Sequence, residues 1–293
     1  MDDKEIIVEV SHLTKDYGYG RGVFDVSIKV HKGECYGYLG PNGAGKSTTI
    51  RHIMGFSKPT TGEVKIFGQS TFGNTENLLG EVGYLPGEPA IPAGLDGWGF
   101  LHMMEEMRGN VKQEWLNHLL ELFKFDPGVP VKSMSLGEKR KLAVVAAFMN
   151  DPEVLILDEP TSGLDPVSRE EVLDIFREIV KSGDRAILFS THITSDLDKC
   201  ASNITYIHNG EIIFTGTKKD FVSAYLFVID KTKNKDLEKE YIAFKELDDH
   251  IEGLININNK DIFIKNNIEP REPDLEEIMV YLERSKNNES FTL

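Results

Sequence analysis

The chain has 293 residues, with 33 Lys and Arg residues against 48 Asp and Glu residues, and its net charge is −15. This length suits one large domain or two smaller ones with a buried core. The negative charge argues against a nucleic-acid partner or an anionic lipid surface, because both require clustered Lys and Arg.

The amino-terminal part of the chain predicts β-structure. Residues 6–10 and 23–30 alternate apolar and polar side chains, as strands with one buried face do, and residues 64–68 continue the pattern. We expect these segments to form an antiparallel β-subdomain.

A glycine-rich loop predicts a phosphate-binding site. It follows a strand-like run at residues 35–39, precedes a predicted helix at 46–54, and carries the full G-x-x-x-x-G-K-[S/T] pattern. The loop consists of Gly40, Pro41, Asn42, Gly43, Ala44, Gly45, Lys46, Ser47 and Thr48. Its glycines let backbone N–H groups surround phosphates at a helix N-terminus. We expect Lys46 to reach the β- and γ-phosphates and the Ser47 hydroxyl to ligate Mg²⁺.

Residues 88–150 change to helical periodicity and predict a helical subdomain. Four side chains fall on one stripe, namely Trp98, Leu101, Met104 and Met107. A second stripe consists of Trp115, Leu119, Leu122 and Phe123. A Met-rich stripe is more often part of a core than a docking surface, so we expect the first stripe to be buried.

Ser135 and Glu138 predict the start of the next helix. A serine followed three residues later by glutamate is the capping-box pattern, so this segment is in one interpretation only a well-started helix. The basic cluster at residues 139–141, together with the small Ser135 and the flexible Gly137, also suits contact with a terminal phosphate. The residues alone leave both interpretations open.

An apolar run at residues 154–158 ends in two carboxylates, Asp158 and Glu159. Such a run predicts a strand buried on both faces of a parallel sheet, and ligands bind beyond the carboxyl ends of such strands. We therefore expect Asp158 to hold Mg²⁺ through water and Glu159 to act as a general base. Alone, the pair would more simply solvate a strand end, but the phosphate loop favours the catalytic interpretation.

The last third of the chain predicts a helix and then a separate extension. Residues 167–181 have helical spacing and end near Gly183. Beyond residue 217 the pattern predicts a helix end joined to a strand at 221–229, and a closing amphipathic helix at 274–282. Further short strands are predicted at 241–244, 254–257 and 261–264, with a hairpin turn at Asn258 and Asn259. We expect domains at 1–217 and 218–293, the second an α+β packing or dimer-stabilising extension.

The order of these motifs resembles the ATP-binding subunit of an ATP-binding cassette (ABC) transporter over about residues 5–220. Residues 134–138 occupy the position of the L-S-G-G-Q signature, and the S-G-L-D segment at 162–165 follows Glu159 as in the family. The strand at 186–191 ends at His192, which matches the family's switch histidine, and Tyr17 matches the aromatic residue that stacks on adenine. The ordered set is far more specific than a phosphate loop alone.

The resemblance implies an α/β fold of the P-loop NTPase class. This fold has a mixed, largely parallel sheet, an antiparallel β-subdomain and a helical subdomain. The resemblance also implies ATP and Mg²⁺ as ligands, ATP hydrolysis, and a second nucleotide-binding subunit whose signature closes over the γ-phosphate. Catalysis would fall to Lys46, Glu159 and His192. Outside the loop, the implied binding residues are Tyr17, Ser135, Gly137, Glu138, Asp158 and Asp165.

Two positions depart from the family pattern. Gly87 stands where a glutamine normally touches Mg²⁺ and the attacking water. Either a water molecule or Glu88 takes the place of that glutamine, or hydrolysis is slow without a partner. In the signature, Leu136 replaces the first glycine and Glu138 the glutamine, while Ser135 and Gly137 are retained.

The resemblance implies an integral membrane permease as partner, which we expect to dock on the Pro- and Gly-rich stretch at 86–98. No run of about 20 apolar residues occurs, the N-terminus lacks a signal peptide, and two widely spaced cysteines fit a reducing compartment, so we expect a cytoplasmic, peripherally bound protein.

The tail at 272–278 resembles that of drug- and peptide-exporter ATPases. The alternative functions are a soluble ABC-type ATPase in DNA or translation processes, or a small-molecule kinase, which would lack the signature.

Overall fold

The computed structural model describes residues 5–74, 78, 80–109 and 111–287. The chain divides into two compact units on either side of the bond between Thr215 and Gly216. In the described part of the chain, no helix is long and apolar enough to cross a membrane.

The first unit contains an antiparallel sheet near its amino terminus. Its strands are β1 (Ile6–Asp16), β2 (Gly22–His31), β4 (Thr61–Ile66) and β5 (Gln69–Ser70), in the order β2–β1–β4–β5. Val8 and Val10 of β1 and Val26, Ile28 and Val30 of β2 are buried at alternate positions, as the period-two pattern predicts. Irregularities in the pairing of the two strands interrupt the alternation elsewhere.

A six-stranded sheet forms the centre of this unit. Its strands are β3 (Cys35–Leu39), β6 (Val82–Leu85), β7 (Val154–Asp158), β8 (Ala186–Thr191), β9 (Asn203–His208) and β10 (Glu211–Thr217). The order is β10–β9–β3–β8–β7–β6, and the pairs from β9 to β6 are parallel. Every residue of β3, β7 and β8 is buried, which explains their unbroken runs of mainly apolar residues.

The helices of the first unit connect these strands. They are α1 (Lys46–Ile53), α2 (Gly97–Arg108), α3 (Gln113–Leu122), α4 (Leu136–Phe148), α5 (Pro166–Lys181) and α6 (Thr194–Cys200). Helix α4 is buried on nearly all sides beyond its first turn, so it is apolar all round rather than amphipathic. The Phe148 ring at its end stacks on Phe176 of α5 with centroids 6.1 Å apart.

The predicted stripe on α2 is only partly correct. Leu101 is buried, but Trp98 is 37% exposed and Met107 is 74% exposed. The buried side of α2 instead contains Gly97 and Phe100 together with Leu101. A side chain at Gly97 would clash with the Pro127 backbone, and the Trp98 N–H donates to the Pro127 carbonyl at 3.0 Å, so the backbone of Pro127 covers this side of α2. Sequence spacing identifies a stripe, but the neighbouring backbone decides which side is covered.

The second unit is built on a three-stranded antiparallel sheet. Its elements are α7 (Lys218–Ser223), β11 (Tyr225–Asp230), β12 (Tyr241–Glu246), β13 (Ile251–Asn256), α8 (Lys260–Lys265) and α9 (Leu275–Asn287), and the strand order is β11–β13–β12. Helix α9 begins as predicted, because Asp274 and Glu277 each accept a hydrogen bond from the other's backbone N–H at 2.7 and 3.1 Å.

Two predictions for this unit are wrong. Residues 261–264 form helix α8 rather than a strand, and Asn258 and Asn259 belong to a 3₁₀ turn rather than to a hairpin. The Asn256 side chain accepts from the Asn258 N–H at 3.0 Å and so starts a helical turn. Asparagine is common in both hairpin and helical turns, so the sequence does not distinguish them. Within residues 261–264, only Phe263 is fully buried.

Candidate functional site

The carboxyl ends of the parallel strands assemble one polar region. Five of them, β3, β6, β7, β8 and β9, end at the same edge of the sheet. The residues that follow the strand ends are Gly40, Pro86, Glu159, His192 and Asn209. Segments distant in sequence therefore meet where α/β proteins bind their ligands.

The glycine-rich loop leaves β3 and enters α1. A side chain at Gly40 would clash with the Ile207 carbonyl, and one at Gly45 would press on Val23. Gly45 also has φ of 110°, a conformation that favours glycine. The loop is therefore tightly packed on its inner side, and its backbone curls around the start of α1 as the motif predicts.

Lys46 places a buried ammonium group inside this loop. The residue is 4% exposed, and its Nζ donates to the carbonyls of Gly40 and Pro41 at 2.7 and 3.0 Å. Nζ also lies 3.3 Å from Glu159 Oε1. Burial lowers the pKa of Lys46, and the Glu159 carboxylate opposes that shift. A buried cation at a helix N-terminus favours an anionic ligand.

Glu159 lies at the centre of a cluster of charged and titratable side chains. Its carboxylate oxygen Oε1 is 3.3 Å from both Lys46 Nζ and His192 Nδ1. The residue has φ of 48°, which is uncommon outside glycine, and its N–H donates to Ser190 Oγ at 3.0 Å. The predicted catalytic residues Lys46, Glu159 and His192 are thus brought together.

Asp158 is buried beside this cluster and is oriented by Ser190. The Ser190 hydroxyl donates to Asp158 Oδ1 at 2.6 Å, and the other oxygen, Oδ2, lies 3.3 Å from where a Gly87 side chain would begin. The predictions missed Ser190, although a hydroxyl inside an otherwise apolar strand was a visible signal. Its parallel pairing with Asp158 could be known only from the sheet register.

A cavity of about 1010 Å³ is lined by Lys46, Asp158 and Glu159, whereas His192 and Ser190 do not line it. The predicted residues that line it are Tyr17, Asn42, Gly43, Gly45, Lys46, Ser47, Thr48, Asp158 and Glu159. Tyr17 is half exposed, and Lys15 Nζ lies 5.6 Å from its ring centroid. Arg21 and Arg51 also line the cavity and were not predicted. Arg51 lies four residues beyond Ser47 on α1, so helical spacing could have identified it.

The donor set at the cavity fits Mg²⁺. Ser47 and Asp158 both line it and offer the hydroxyl and carboxylate oxygens that this ion prefers. Within the described ranges, no group of three or more His, Cys, Asp and Glu side chains could hold a metal on its own. Mg²⁺ keeps several waters and binds substrate phosphates, so one or two protein ligands suffice.

The signature residues lie at a different cavity, of about 590 Å³. Ser135, Gly137, Glu138 and Asp165 all line it, and none of them lines the first cavity. Asp165 caps α5, because its Oδ1 accepts from the N–H groups of Val167 and Ser168. Hydrogen bonds from Ser168 lower the pKa of Asp165. The structure therefore separates the predicted binding residues into two sets.

The start of α4 is a complete capping box. Ser135 Oγ accepts from the Glu138 N–H at 3.2 Å, and the N–H and hydroxyl of Ser135 donate to Glu138 Oε2 at 2.8 Å each. Hydrogen bonds from Ser135 lower the pKa of Glu138. Leu136 is 66% exposed, so this helix start faces outward. The capped-helix prediction is confirmed.

Two of the three basic side chains that follow, Arg140 and Lys141, contact other parts of the same chain instead of facing outward. Lys141 Nζ lies 2.8 Å from Glu171 of α5, and Arg140 turns inward and is 4% exposed. The Arg140 guanidinium reaches the backbone beside Glu159. Sequence reasoning missed this role, although a basic side chain entering an apolar helix was a visible signal.

Comparison with known proteins identifies the family of this chain. Residues 23–162 match the family model described as ABC transporter. The chain is 33% identical over 258 residues to the bacitracin transport ATP-binding protein BcrA of Bacillus licheniformis, covering 86% of this chain and 84% of that protein. It is 31% identical over 223 residues to the Nod factor export ATP-binding protein I of Ralstonia nicotianae, covering 74% and 69%.

Solved structures agree with this comparison. The structure of an ATP-binding subunit of an ABC transporter is 31% identical, with a TM-score of 0.66 over 73% of this chain and 91% of that one. A dimeric ATP-binding cassette bound to ADP and Pi has a TM-score of 0.64 at 21% identity, over 72% of this chain and 98% of that one, and supports the fold alone.

The fold and the site thus define a P-loop ATPase of the cassette type. The chain belongs to the ABC transporter ATP-binding proteins. It is an ATP-binding and hydrolysing subunit that energises membrane transport. The predicted family, fold class and ATPase activity are confirmed.

Proposed function

We propose that two nucleotide-binding subunits clamp Mg·ATP between their opposite half-sites and drive an export permease. The observation that carries this proposal is the separation of the predicted residues into two cavities on one chain. Neither cavity is lined by all the predicted binding residues. A nucleotide bound in the first cavity would therefore contact signature residues only if a second subunit supplied them.

In the first half-site, the loop Gly40–Thr48 holds the phosphates and Lys46 exchanges its carbonyl partners for phosphate oxygens. Ser47 and Asp158 hold Mg²⁺, which neutralises phosphate charge when bound. Tyr17 is half exposed at the cavity and stacks on the adenine ring. Because Lys46 is buried and lies at a helix N-terminus, its attraction to phosphate is weakly screened.

Glu159 and His192 carry the hydrolysis. Glu159 accepts a proton from water as the water oxygen bonds to the γ-phosphorus, and the bond from that phosphorus to the bridging oxygen breaks. The electron pair leaves with ADP. His192 Nδ1 and Lys46 Nζ each lie 3.3 Å from Glu159 Oε1, and His192 orients the water and the γ-phosphate.

In the second half-site, Ser135, Gly137 and Glu138 close over the partner's γ-phosphate. The exposed Leu136 and the outward-facing helix start support this contact. Asp165 lines the same cavity and couples the two sites across the interface. Loss of the γ-phosphate removes charge shared by both subunits, and the dimer opens.

The permease docks near Gly87 and the stretch at 86–98, where Trp98 is partly exposed. Residues 1–217 form the nucleotide-binding domain and 218–293 an accessory extension. Export is supported by relatives whose names denote bacitracin transport and Nod factor export. The subunit then lies on the cytoplasmic face of the membrane, held there by its permease.

The test is Glu159→Gln, which keeps the shape of the side chain but removes the base. With saturating Mg·ATP the variant should accumulate as a dimer by light scattering, whereas wild-type protein should return to monomer as ATP is consumed. Glu153→Gln is the matched control, because Glu153 is exposed just before the other end of β7. A Glu159→Gln protein that binds ATP but stays monomeric would contradict the proposal.

A further inference from the structure

Arg140 is a buried cation whose hydrogen bonds all go to the backbone. Its Nε donates to the Pro160 carbonyl at 3.1 Å, Nη1 to Gly87 at 2.8 Å, and Nη2 to Asp158 at 3.4 Å and to Glu159. In the described part of the chain it forms no ion pair within 4.0 Å, unlike Arg169 or Arg185.

Three of these carbonyls, those of Asp158, Glu159 and Pro160, belong to the chain segment that positions the catalytic carboxylate. Glu159 has φ of 48°, a left-handed conformation that non-glycine residues rarely adopt without support. Its N–H donates to Ser190 Oγ and its carbonyl accepts from Arg140. Both ends of the residue are therefore held, and the side chain emerges toward Lys46 and His192.

The same guanidinium also reaches the segment that departs from the family pattern. Gly87 has no side chain to contact Asp158 or a metal, yet its backbone passes close to Asp158 Oδ2. The Arg140–Gly87 hydrogen bond joins this segment to the strand end at Asp158 and Glu159. Arg140 itself lies on α4, the helix that begins at the signature.

We propose that Arg140 is a positioning residue that holds Glu159 in its catalytic conformation and couples the Gly87 segment and α4 to it. The inference rests on the proposed role of Glu159 as general base. Arginine suits this task because its planar fork carries five N–H donors in fixed directions. Lysine carries the same charge on a single nitrogen and lacks a fork of donors in fixed directions.

The test compares Arg140→Lys and Arg140→Gln with wild-type protein. We expect kcat for ATP hydrolysis to fall by about tenfold or more, with KM for ATP changed by less than about threefold, because positioning of the base affects the transition state more than ground-state binding. Hydrogen exchange without nucleotide should accelerate at the amides of Gly87, Glu88 and Glu159, since both segments lose their tether.

Arg185→Gln is the matched control. Arg185 is partly buried, pairs with Asp151 and lies over the Trp115 ring, with 5.1 Å to its centroid, in the same unit but away from the cavity. Its loss should lower the melting temperature and leave kcat and the exchange at Gly87, Glu88 and Glu159 unchanged. The comparison with Arg185→Gln distinguishes a general loss of stability from a loss of the positioning of Glu159.

Two results would overturn the inference. One is wild-type kcat per folded molecule in both Arg140 variants, and the other is unchanged exchange at Gly87, Glu88 and Glu159. If instead Glu159→Gln hydrolyses ATP as fast as wild-type protein, the base assignment fails, and the exchange measurement still decides whether Arg140 tethers both segments. If Arg140→Gln does not fold, Arg140→Lys supplies the comparison.

Discussion

At the scale of single residues, the site depends on groups whose surroundings change their chemistry. Among the described residues, the partners of the buried Lys46 ammonium are two carbonyls and the shared Glu159 carboxylate. A buried ammonium in this setting gains strongly from a phosphate ligand, because protein around it screens the interaction less than water does. Its role therefore follows from both its position in the motif and its burial.

Lys46→Ala tests this role directly. The variant should lose ATP affinity by about 100-fold or more, since it removes a desolvated charge that contacts the phosphates. Titration calorimetry with Mg·ATP measures the change. Lys65→Ala is the control, because Lys65 is more exposed and pairs with Glu63 at 2.8 Å. Wild-type affinity in Lys46→Ala would refute the phosphate-loop assignment.

At the scale of elements, the predictions succeed where local pattern and environment agree. The bounds of β3, β7 and β8 match the predicted runs, because strands buried on both faces are apolar at nearly every position. The predictions fail at α2 and α8, where short apolar spacings fit more than one arrangement and packing selects among them.

The start of α4 allows a prediction at this scale. Glu138 binds the Ser135 hydroxyl and adds a negative charge where the partner's γ-phosphate is proposed to bind. Glu138→Gln keeps a residue that completes a capping box, so stability should change by less than about 0.5 kcal/mol. In the Glu159→Gln background, it should tighten the ATP-bound dimer by about threefold to tenfold, because a like charge is removed at a helix N-terminus.

Analytical ultracentrifugation at saturating Mg·ATP measures that dimer. Glu114→Gln is the matched control, since Glu114 is an exposed acid in the first turn of α3, and α3 contributes no proposed nucleotide contact. A dimer that is unchanged or weaker in Glu138→Gln would show that the glutamate does not oppose the phosphate.

At the scale of the whole molecule, the net charge of −15 bears on dimer formation. Two copies repel each other, and dissolved salt screens that repulsion. Raising ionic strength from about 30 mM to about 300 mM should therefore tighten the ATP-bound dimer of Glu159→Gln, because the Debye length shortens severalfold. Sedimentation at saturating Mg·ATP checks this, and a dimer that weakens with salt would indicate an interface dominated by attractive charge pairs.

The sequence by itself determined the family, the fold class and the identity of the phosphate-loop, acidic and histidine motifs, because each depends on residue types at fixed local spacing. Only the tertiary structure decided that Ser190 orients Asp158, that Arg140 holds the backbone at Glu159, and that the signature lies at a separate cavity. These contacts join segments 18 to 53 residues apart in the chain. Their partners depend on strand order, register and helix rotation, which local spacing does not encode.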